Sequence, residues 1–223
     1  MFSPKASYPV HTVWWFWLPL LLAAAAAAVN ITMGKAVSDF LYAENGFFEC
    51  LQPVICLAAV VFGLLCIKKT KSNWLRLWFA AAVLGCLYIG LEEISYGQQI
   101  LKWNTPEYWA ALNDQNETNL HNTSSWLDQK PRAILFIGVI VGGILLPLVR
   151  RFRPKLLPKK FAAIYPPDAL FWTSAMAIFA DVAKALHKAE ILTVYTRAAE
   201  VNETYIYYFI LLYLVFFWKT AKA

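Results

Sequence analysis

Charge is scarce in this chain of 223 residues, since only 15% of its side chains are Asp, Glu, Lys or Arg. Soluble domains have about 25% charged and about 45–50% apolar residues. Here 60% of the residues are hydrophobic and the mean hydropathy is +0.49. The shortage of charge therefore excludes an ordinary soluble domain. The composition is typical of a polytopic membrane protein, and the length suits one compact bundle without a separate soluble domain.

Several sequence signatures are also missing. The four cysteines include no C-x-x-C pair, so we interpret them as small apolar packing residues. The motifs H-E-x-x-H and G-x-S-x-G do not occur, and no motif indicates a zinc protease or a serine hydrolase. Internal repeats are absent apart from an alanine run at 23–28.

Six apolar runs predict six transmembrane helices. At a rise of about 1.5 Å per residue, about 17–21 residues cover most of a hydrocarbon layer roughly 30 Å thick. We predict an all-α, polytopic transmembrane bundle that forms a single membrane domain over residues 1–223. Its predicted spans are residues 13–33, 47–67, 77–96, 133–149, 169–186 and 205–218, and a polar loop at 98–130 joins the third span to the fourth.

The distribution of Lys and Arg predicts the orientation of these spans. The net charge is +6, but the bases cluster in short loops between apolar runs, so the charge does not indicate nucleic-acid binding. Thirteen of the twenty bases fall on one side: one before the first span, four within 68–76, six within 150–160 and two after the last span. The positive-inside rule then makes both termini cytoplasmic and places the 98–130 loop outside.

Carboxylates are nearly missing from the predicted cytoplasmic face, where only Asp168 lies. Glu49, Glu92, Asp181 and Glu203 come from four different spans, each about 20–28 Å along its helix from that face. We therefore expect them to meet near the outer boundary of the hydrocarbon. An ionised carboxylate at the centre of a membrane helix costs about 2.5–3.5 kcal/mol, so such residues are interpreted as a functional site.

The third span ends in the stretch LEEISYGQQ, residues 91–99. Glu92, Ser95, Tyr96 and Gln99 have i, i+3, i+4, i+7 spacing, which predicts one helical face. Glu93 would point about 100° away from that face. Two interpretations stay open. Both carboxylates lie at the headgroup boundary, or one is a site carboxylate that the other orients or shares a proton with.

The polar loop adds an imidazole. Thr105 as N-cap, Pro106 at the first helical position and Glu107 in the first turn predict the start of a short helix. Its Tyr108, Trp109 and Leu112 form an apolar stripe suited to the membrane surface. The polar run at 113–122 contains His121. It is either an ordinary solvated loop or part of the site, because a neutral imidazole near carboxylates suits a metal centre or an acid–base pair.

The candidate site residues follow from these patterns. The predicted catalytic residues are Glu92, Glu93 and His121. The predicted supporting residues are Glu49, Ser95, Gln99, Asn119, Asp181, His187 and Glu203. His187 lies near Asp181 and Glu190, and the alternative for it is a lone histidine at the interface. A divalent metal is hypothesised at Glu92, His121 and Glu203, from residue types and depth rather than from a specific spacing.

The motif E-E-I-S-x-G-Q at 92–98, with T-P-E at 105–107 and N-x-Q-x-E-x-N-L-H-N at 113–122, resembles a group of bacterial multi-pass membrane proteins that have no assigned activity. The resemblance covers about a third of the chain. The aromatic after Ser95 is usually Trp in that group and is Tyr96 here. The resemblance implies the bacterial cytoplasmic (inner) membrane and no particular chemistry.

Three functions are consistent with the sequence. The first is a hydrolase or transferase that acts at the outer membrane face on a lipid or lipid-linked substrate, with Glu92 or Glu93 as general base and His121 as acid or metal ligand. The second is a non-catalytic subunit that docks another envelope protein. The third is a proton-coupled transporter, which the gathering of the acids at one face disfavours. The expected partners are the lipid bilayer and either a lipid-linked substrate or another envelope protein. No nucleic-acid partner is expected.

Overall fold

The computed structural model describes residues 8–33, 35–42, 46–113 and 115–220. These residues form helices and turns and contain no strand, which confirms the predicted all-α class. Six helices within them are long and apolar enough to cross a membrane. The predicted number of spans is therefore confirmed, including the fifth, which contains charged residues.

The helices are, in chain order, α1 (Leu18–Thr32, preceded by a π-helical turn at Val13–Trp17), α2 (Lys35–Tyr42), α3 (Phe47–Lys69), α4 (Asn73–Glu93), α5 (Gln98–Leu101), α6 (Glu107–Ala110), α7 (Ser125–Ile140, continued by a π-helical turn at Val141–Leu145), α8 (Leu146–Phe152), α9 (Phe171–Lys188, preceded by a 3₁₀ turn at Asp168–Leu170) and α10 (Ala198–Thr220). The candidate spans correspond to α1, α3, α4, α7 with α8, α9, and α10.

Helix α10 is the centre of the bundle. Of its most apolar stretch 67% is buried, against at most 39% for any other candidate span. On one side α10 packs against α3, where Gln52 bonds to Glu200 and the Cys66 thiol to the carbonyl of Leu214. Both pairs are 148 residues apart, so α3 and α10 run parallel in a constant register.

Helix α1 runs the other way along α10. The hydroxyl of Tyr208 donates to the carbonyl of Trp14, and that of Tyr205 to the carbonyl of Pro19, each at 2.7 Å. Numbering rises along α10 as it falls along α1, so these two helices are antiparallel. First and sixth spans should be antiparallel, and second and sixth parallel, if the chain crosses a membrane six times. The observed directions of α1, α3 and α10 agree with six crossings. Which end of the bundle is cytoplasmic stays a prediction.

Helix α4 ends at Glu93, three residues before the predicted end of its span. Ser95 and Tyr96 have φ of +47° and +54°, and Gly97 has φ of +102°. A left-handed backbone costs roughly 1–2 kcal/mol for most residues, whereas glycine adopts it freely. The prediction of one continuous helical face across residues 92–99 is therefore wrong, because the chain leaves α4 through a tight left-handed turn.

Residues 98–123, which we call the outer segment, cover the end of the bundle where α4 stops. We call this end the outer end. The short helix predicted after Thr105 is present, but it lasts one turn, Glu107–Ala110. Thr105 does not cap it as expected, since its hydroxyl donates to the carbonyl of Asn116 instead. The tertiary contact replaces the cap.

Candidate functional site

Glu92 fastens the outer segment to α4. Its side chain lies in the last turn of α4, and the residue is only 3% exposed. One carboxylate oxygen accepts from the hydroxyl of Tyr96 at 2.6 Å, and the other from the backbone N–H of Leu120 at 2.8 Å. Partial burial, the hydrogen bond to Glu92 and the charge of Glu92 raise the pKa of Tyr96 above its usual value. Both carboxylate oxygens of Glu92 therefore accept structural hydrogen bonds, one from the turn that follows α4 and one from the outer segment.

Glu117 is the centre of the same network, and our sequence analysis missed it as a site residue. It accepts hydrogen bonds from Ser95 Oγ and Asn119 Nδ2, both at 2.7 Å, and from Gln99 Nε2 at 3.2 Å. Ser95 and Asn119 are fully buried. Three predicted supporting residues thus meet at a carboxylate that only the fold of the outer segment brings to them. The place of Glu117 inside the quoted motif N-x-Q-x-E-x-N-L-H-N was the available signal.

The remaining motif residues complete this network. The carboxamide oxygen of Gln98 accepts from the N–H of Thr118 at 2.7 Å, and its amide donates to Thr105 Oγ1 at 2.7 Å. Asn113 donates to Asn119 Oδ1 at 2.7 Å and caps a turn by accepting from the N–H of Gln115 at 2.9 Å. Buried polar groups need such partners. The motif is thus explained locally as the lock of the outer segment, defined as Glu92, Ser95, Gln98, Gln99, residue 113 and residues 115–120.

His121 follows directly on this lock. It begins a 3₁₀ turn, His121–Thr123, and the preceding backbone N–H is the one bonded to Glu92. The backbone of His121 therefore lies beside Glu92, as the site hypothesis requires. Its side chain lies outside the part of the structure that is described, so the role of the imidazole stays a prediction.

Glu93 faces a different neighbour from Glu92. Its carboxylate accepts from the hydroxyl of Tyr207 on α10 at 3.3 Å, and the residue is half-buried. Tyr207 itself is 3% exposed and close enough to Glu93, Glu203 and Arg132 to be affected by their charges. Two carboxylates from α4 and α10 thus lie on either side of one tyrosine at the outer end.

Glu203 lies one turn before Tyr207 on α10 and forms an ion pair with Arg132, at 2.7 Å. The carboxylate side chain is 6% exposed, whereas the guanidinium side chain of Arg132 is 31% exposed. A buried carboxylate in a membrane needs such a partner. Arg132 was missed in the sequence analysis. It was detectable as a base on the predicted outer side, at the start of the fourth span. We call Glu93, Tyr207, Glu203 and Arg132 the charged cluster.

The other predicted supporting residues belong to α3 and α9. Glu49 is half-buried in the first turn of α3, where a negative charge is favourable to the helix dipole. Asp181 is half-buried on α9. His187 is exposed at the end of α9, and its Nδ1 is 2.8 Å from the hydroxyl of Thr193. The described contacts thus place His187 in the connection between α9 and α10, not in the charged cluster.

The described residues do not favour a metal centre. No group of three His, Cys, Asp or Glu among them is arranged to hold an ion. Glu92 bonds to Tyr96 and Leu120, and Glu203 pairs with Arg132, so two of the three hypothesised ligands are already engaged. The metal hypothesis now depends on the side chain of His121.

An apolar groove lies between the candidate spans, next to the charged cluster along the helices. It lies between α4 and α7, has α10 as its floor and holds a volume of about 540 Å³. Ile89, Ile134 and Ile210 line its outer end, and each is within about one helical turn of Glu93, Arg132 or Tyr207. Trp78 and the loop residues 161 and 164–166 line its inner end. An added Cβ at Gly85 or Gly138, both in the lining, would meet open space.

Comparison with known proteins shows no relative of this chain, since no family model, no curated protein and no solved structure matches it. The argument for a function therefore rests on the geometry of the outer end.

Proposed function

We propose that this protein is a hydrolase or transferase of the membrane that holds the chain of a lipid or lipid-linked substrate in the groove and acts on its polar end at the charged cluster. One observation carries the proposal. An apolar groove about 540 Å³ in volume ends within about one helical turn of Glu93, Tyr207 and Arg132. Ligand sites have this form, a mostly apolar cavity of about 300–1,000 Å³ with a few polar groups at one place.

The occupant of the groove is a lipid chain rather than a protein helix. The groove runs along α4 from Trp78 to Ile89, which is about 16 Å at 1.5 Å per residue, and its lining is almost wholly apolar. A chain in it lies within the hydrocarbon depth of about 30 Å. The guanidinium of Arg132 is partly exposed beside its ion pair with Glu203, and its remaining N–H groups are proposed to contact a phosphate or carboxylate at the head of that chain.

The charged cluster contains the groups that bond cleavage requires. Glu93 is proposed as the general base that takes a proton from water or from an acceptor hydroxyl. The oxygen of that nucleophile then bonds to the phosphorus or carbonyl carbon of the substrate. The ester bond breaks, and the leaving oxygen receives the proton from Glu93. Arg132 stabilises the negative charge that develops, and Tyr207 orients Glu93. Glu92 is assigned to the lock rather than to the base, because both of its oxygens accept structural hydrogen bonds.

The binding part of the proposal is tested by narrowing the groove. Gly85→Leu combined with Gly138→Leu should fill it without a backbone clash, because neither site has an atom within 4 Å of an added Cβ. We expect retention of a long-chain alkyl phosphate by the purified protein, counted by native mass spectrometry, to fall at least about tenfold. Ala24→Leu with Ala25→Leu, two exposed positions on α1, is the matched control and should bind normally.

The catalytic part is tested separately. Release of a water-soluble headgroup is measured from a panel of phospholipids and polyprenyl phosphates and diphosphates. Glu93→Gln should lower the rate at least about 100-fold and leave alkyl phosphate binding intact, whereas Glu107→Gln on the exposed turn α6 should have no effect. Binding without turnover in the native protein would disprove the enzyme and keep the lipid site. If the native protein neither bound the alkyl phosphate nor released a headgroup, the non-catalytic subunit would be favoured.

A further inference from the structure

A second charged surface lies at the opposite end of the bundle, between α8 and α9. We call residues 150–168 the basic loop. It contains six bases within residues 150–160, and its single acid is Asp168. Two short 3₁₀ turns, Pro154–Leu156 and Lys159–Ile164, lie within it. The bases of the loop lie at the opposite membrane boundary from the charged cluster, and residues 161 and 164–166 of the same loop line the inner end of the groove.

The base of the loop is held in place by its own contacts. Arg150 forms an ion pair with Asp168, and its second guanidinium nitrogen donates to the carbonyl of Pro166 at 3.1 Å. The hydroxyl of Tyr213 on α10 donates to the carbonyl of Ile164 at 2.9 Å. Arg150 therefore closes the loop and is not available to a ligand, while the backbone that carries the other bases has a defined shape.

The other five bases of the basic loop take no part in these contacts. All are exposed, and none forms an ion pair with any residue that the structure describes. They are Arg151, Arg153, Lys155, Lys159 and Lys160. A single-sign surface of this kind attracts anions, and its field reaches about one Debye length, ~8–10 Å at physiological ionic strength.

Exposed apolar side chains alternate with these bases. Phe152 is 71% exposed, Leu156 69% and Phe161 39%. Membrane topology explains the bases by themselves, but it does not call for large apolar side chains turned outward among them. Basic residues interleaved with apolar ones at a membrane boundary are typical of segments that lie in the zone between headgroups and acyl chains. A water-soluble polyanion would match the charges and leave the apolar side chains in water.

We infer that the basic loop binds anionic phospholipid headgroups of the leaflet next to it. The guanidinium groups of Arg151 and Arg153 suit bidentate contact with phosphate, and the lysines add point charges. Phe152 and Leu156 enter the acyl boundary beneath the headgroups. This site lies outside the charged cluster, so the two proposals stand or fall separately.

Lipid selectivity of the full-length protein tests this inference. The protein is reconstituted in phosphatidylcholine bilayers with spin-labelled phosphatidylglycerol or spin-labelled phosphatidylcholine, and the motionally restricted fraction gives the ratio of the two association constants. One base near an anionic surface contributes about fivefold in association. We therefore expect a preference of about fivefold for phosphatidylglycerol, which decreases as salt is raised.

A matched pair of variants separates the loop from the overall charge. Lys155→Gln, Lys159→Gln and Lys160→Gln together should lower the ratio, and they leave the three arginines that favour the present orientation, including Arg151 and Arg153 of the proposed phosphate contact. Lys102→Gln, Lys130→Gln and Lys188→Gln together remove the same charge from exposed residues at the outer end and should leave the ratio unchanged. A native ratio near one, or an equal loss in both triple variants, would overturn the inference.

Discussion

Neighbouring glutamates on α4 have different roles because a helix turns by about 100° per residue. Glu92 faces the outer segment and is bonded to Leu120, whereas Glu93 faces Tyr207 on α10. The two carboxylates therefore face different elements, and whether one orients the other or shares a proton with it stays a prediction. At this scale the chemistry of each carboxylate is decided by its hydrogen-bond donors, since a backbone N–H and a phenol bond to the two oxygens of Glu92 and the hydroxyl of Tyr207 bonds to Glu93.

At the residue scale, Glu117→Gln should loosen the lock. Glu117 accepts bonds from Ser95, Gln99 and Asn119, and a hydrogen bond to a charged group contributes about 1.5–3 kcal/mol. The amide removes the charge and presents an N–H to at least one of these donors. We expect faster amide hydrogen exchange across residues 98–123 than in the native protein, measured by mass spectrometry. Glu107→Gln is the control, and equal exchange in both variants would contradict the assigned role.

The π-helical turn that continues α7 packs closely against α9. The π-helical turn Val141–Leu145 contains Gly143, whose added Cβ would lie 1.7 Å from Ser174 Oγ and 2.6 Å from Ser174 Cβ. Small residues allow membrane helices to approach in this way. Helix α7, which precedes this turn, borders the groove at Gly138. One helix therefore has a tightly packed side facing α9 and an open side facing the groove.

These two glycines provide the test at the scale of the element. Gly143→Ala should lower the thermal midpoint in detergent, because overpacking costs about 1–3 kcal/mol and Ser174 Cβ cannot move without its helix. Gly138→Ala should leave the midpoint unchanged or raise it, since alanine stabilises a helix by roughly 0.5–1 kcal/mol relative to glycine. Equal midpoints for the two variants would show that α7 and α9 do not approach as closely as described.

The whole molecule is a bundle in which successive spans alternate in direction around α10. The parallel packing of α3 and the antiparallel packing of α1 on this helix put the outer segment and the basic loop at opposite ends. The polar chemistry is thus divided between two boundaries, with an apolar groove between them.

Labelling from one side of the membrane tests this arrangement and its predicted orientation. In a Cys50→Ser background, which removes the exposed native thiol, Glu107→Cys should react with a membrane-impermeant maleimide on intact cells. Lys155→Cys should react only after permeabilisation. The buried thiols Cys56, Cys66 and Cys86 serve as internal controls and should stay unlabelled. The reverse pattern would invert the positive-inside assignment, and labelling of both engineered sites on intact cells would disprove their separation.

Much of the fold was predictable from composition and hydropathy, because a membrane permits only structures that satisfy their own backbone hydrogen bonds. The six spans follow from this constraint, and the structure contains six such helices. Less of the candidate site was predictable. Glu92, Glu93 and Glu203 were identified from depth, but Glu117, Arg132 and Tyr207 were not, because their importance comes from contacts between residues 22 to 114 positions apart.

The sequence by itself determined the number of apolar spans, the class of protein and the polar stretch that ends the third span, since each depends on local composition and on the length of apolar runs. Tertiary structure alone decided that α4 stops at Glu93, that the motif closes into a lock around Glu117, and that a groove opens between α4 and α7. The physical reason is that hydrogen-bond partners and cavities arise from the packing of segments distant in the chain, and hydropathy carries no record of which segments meet.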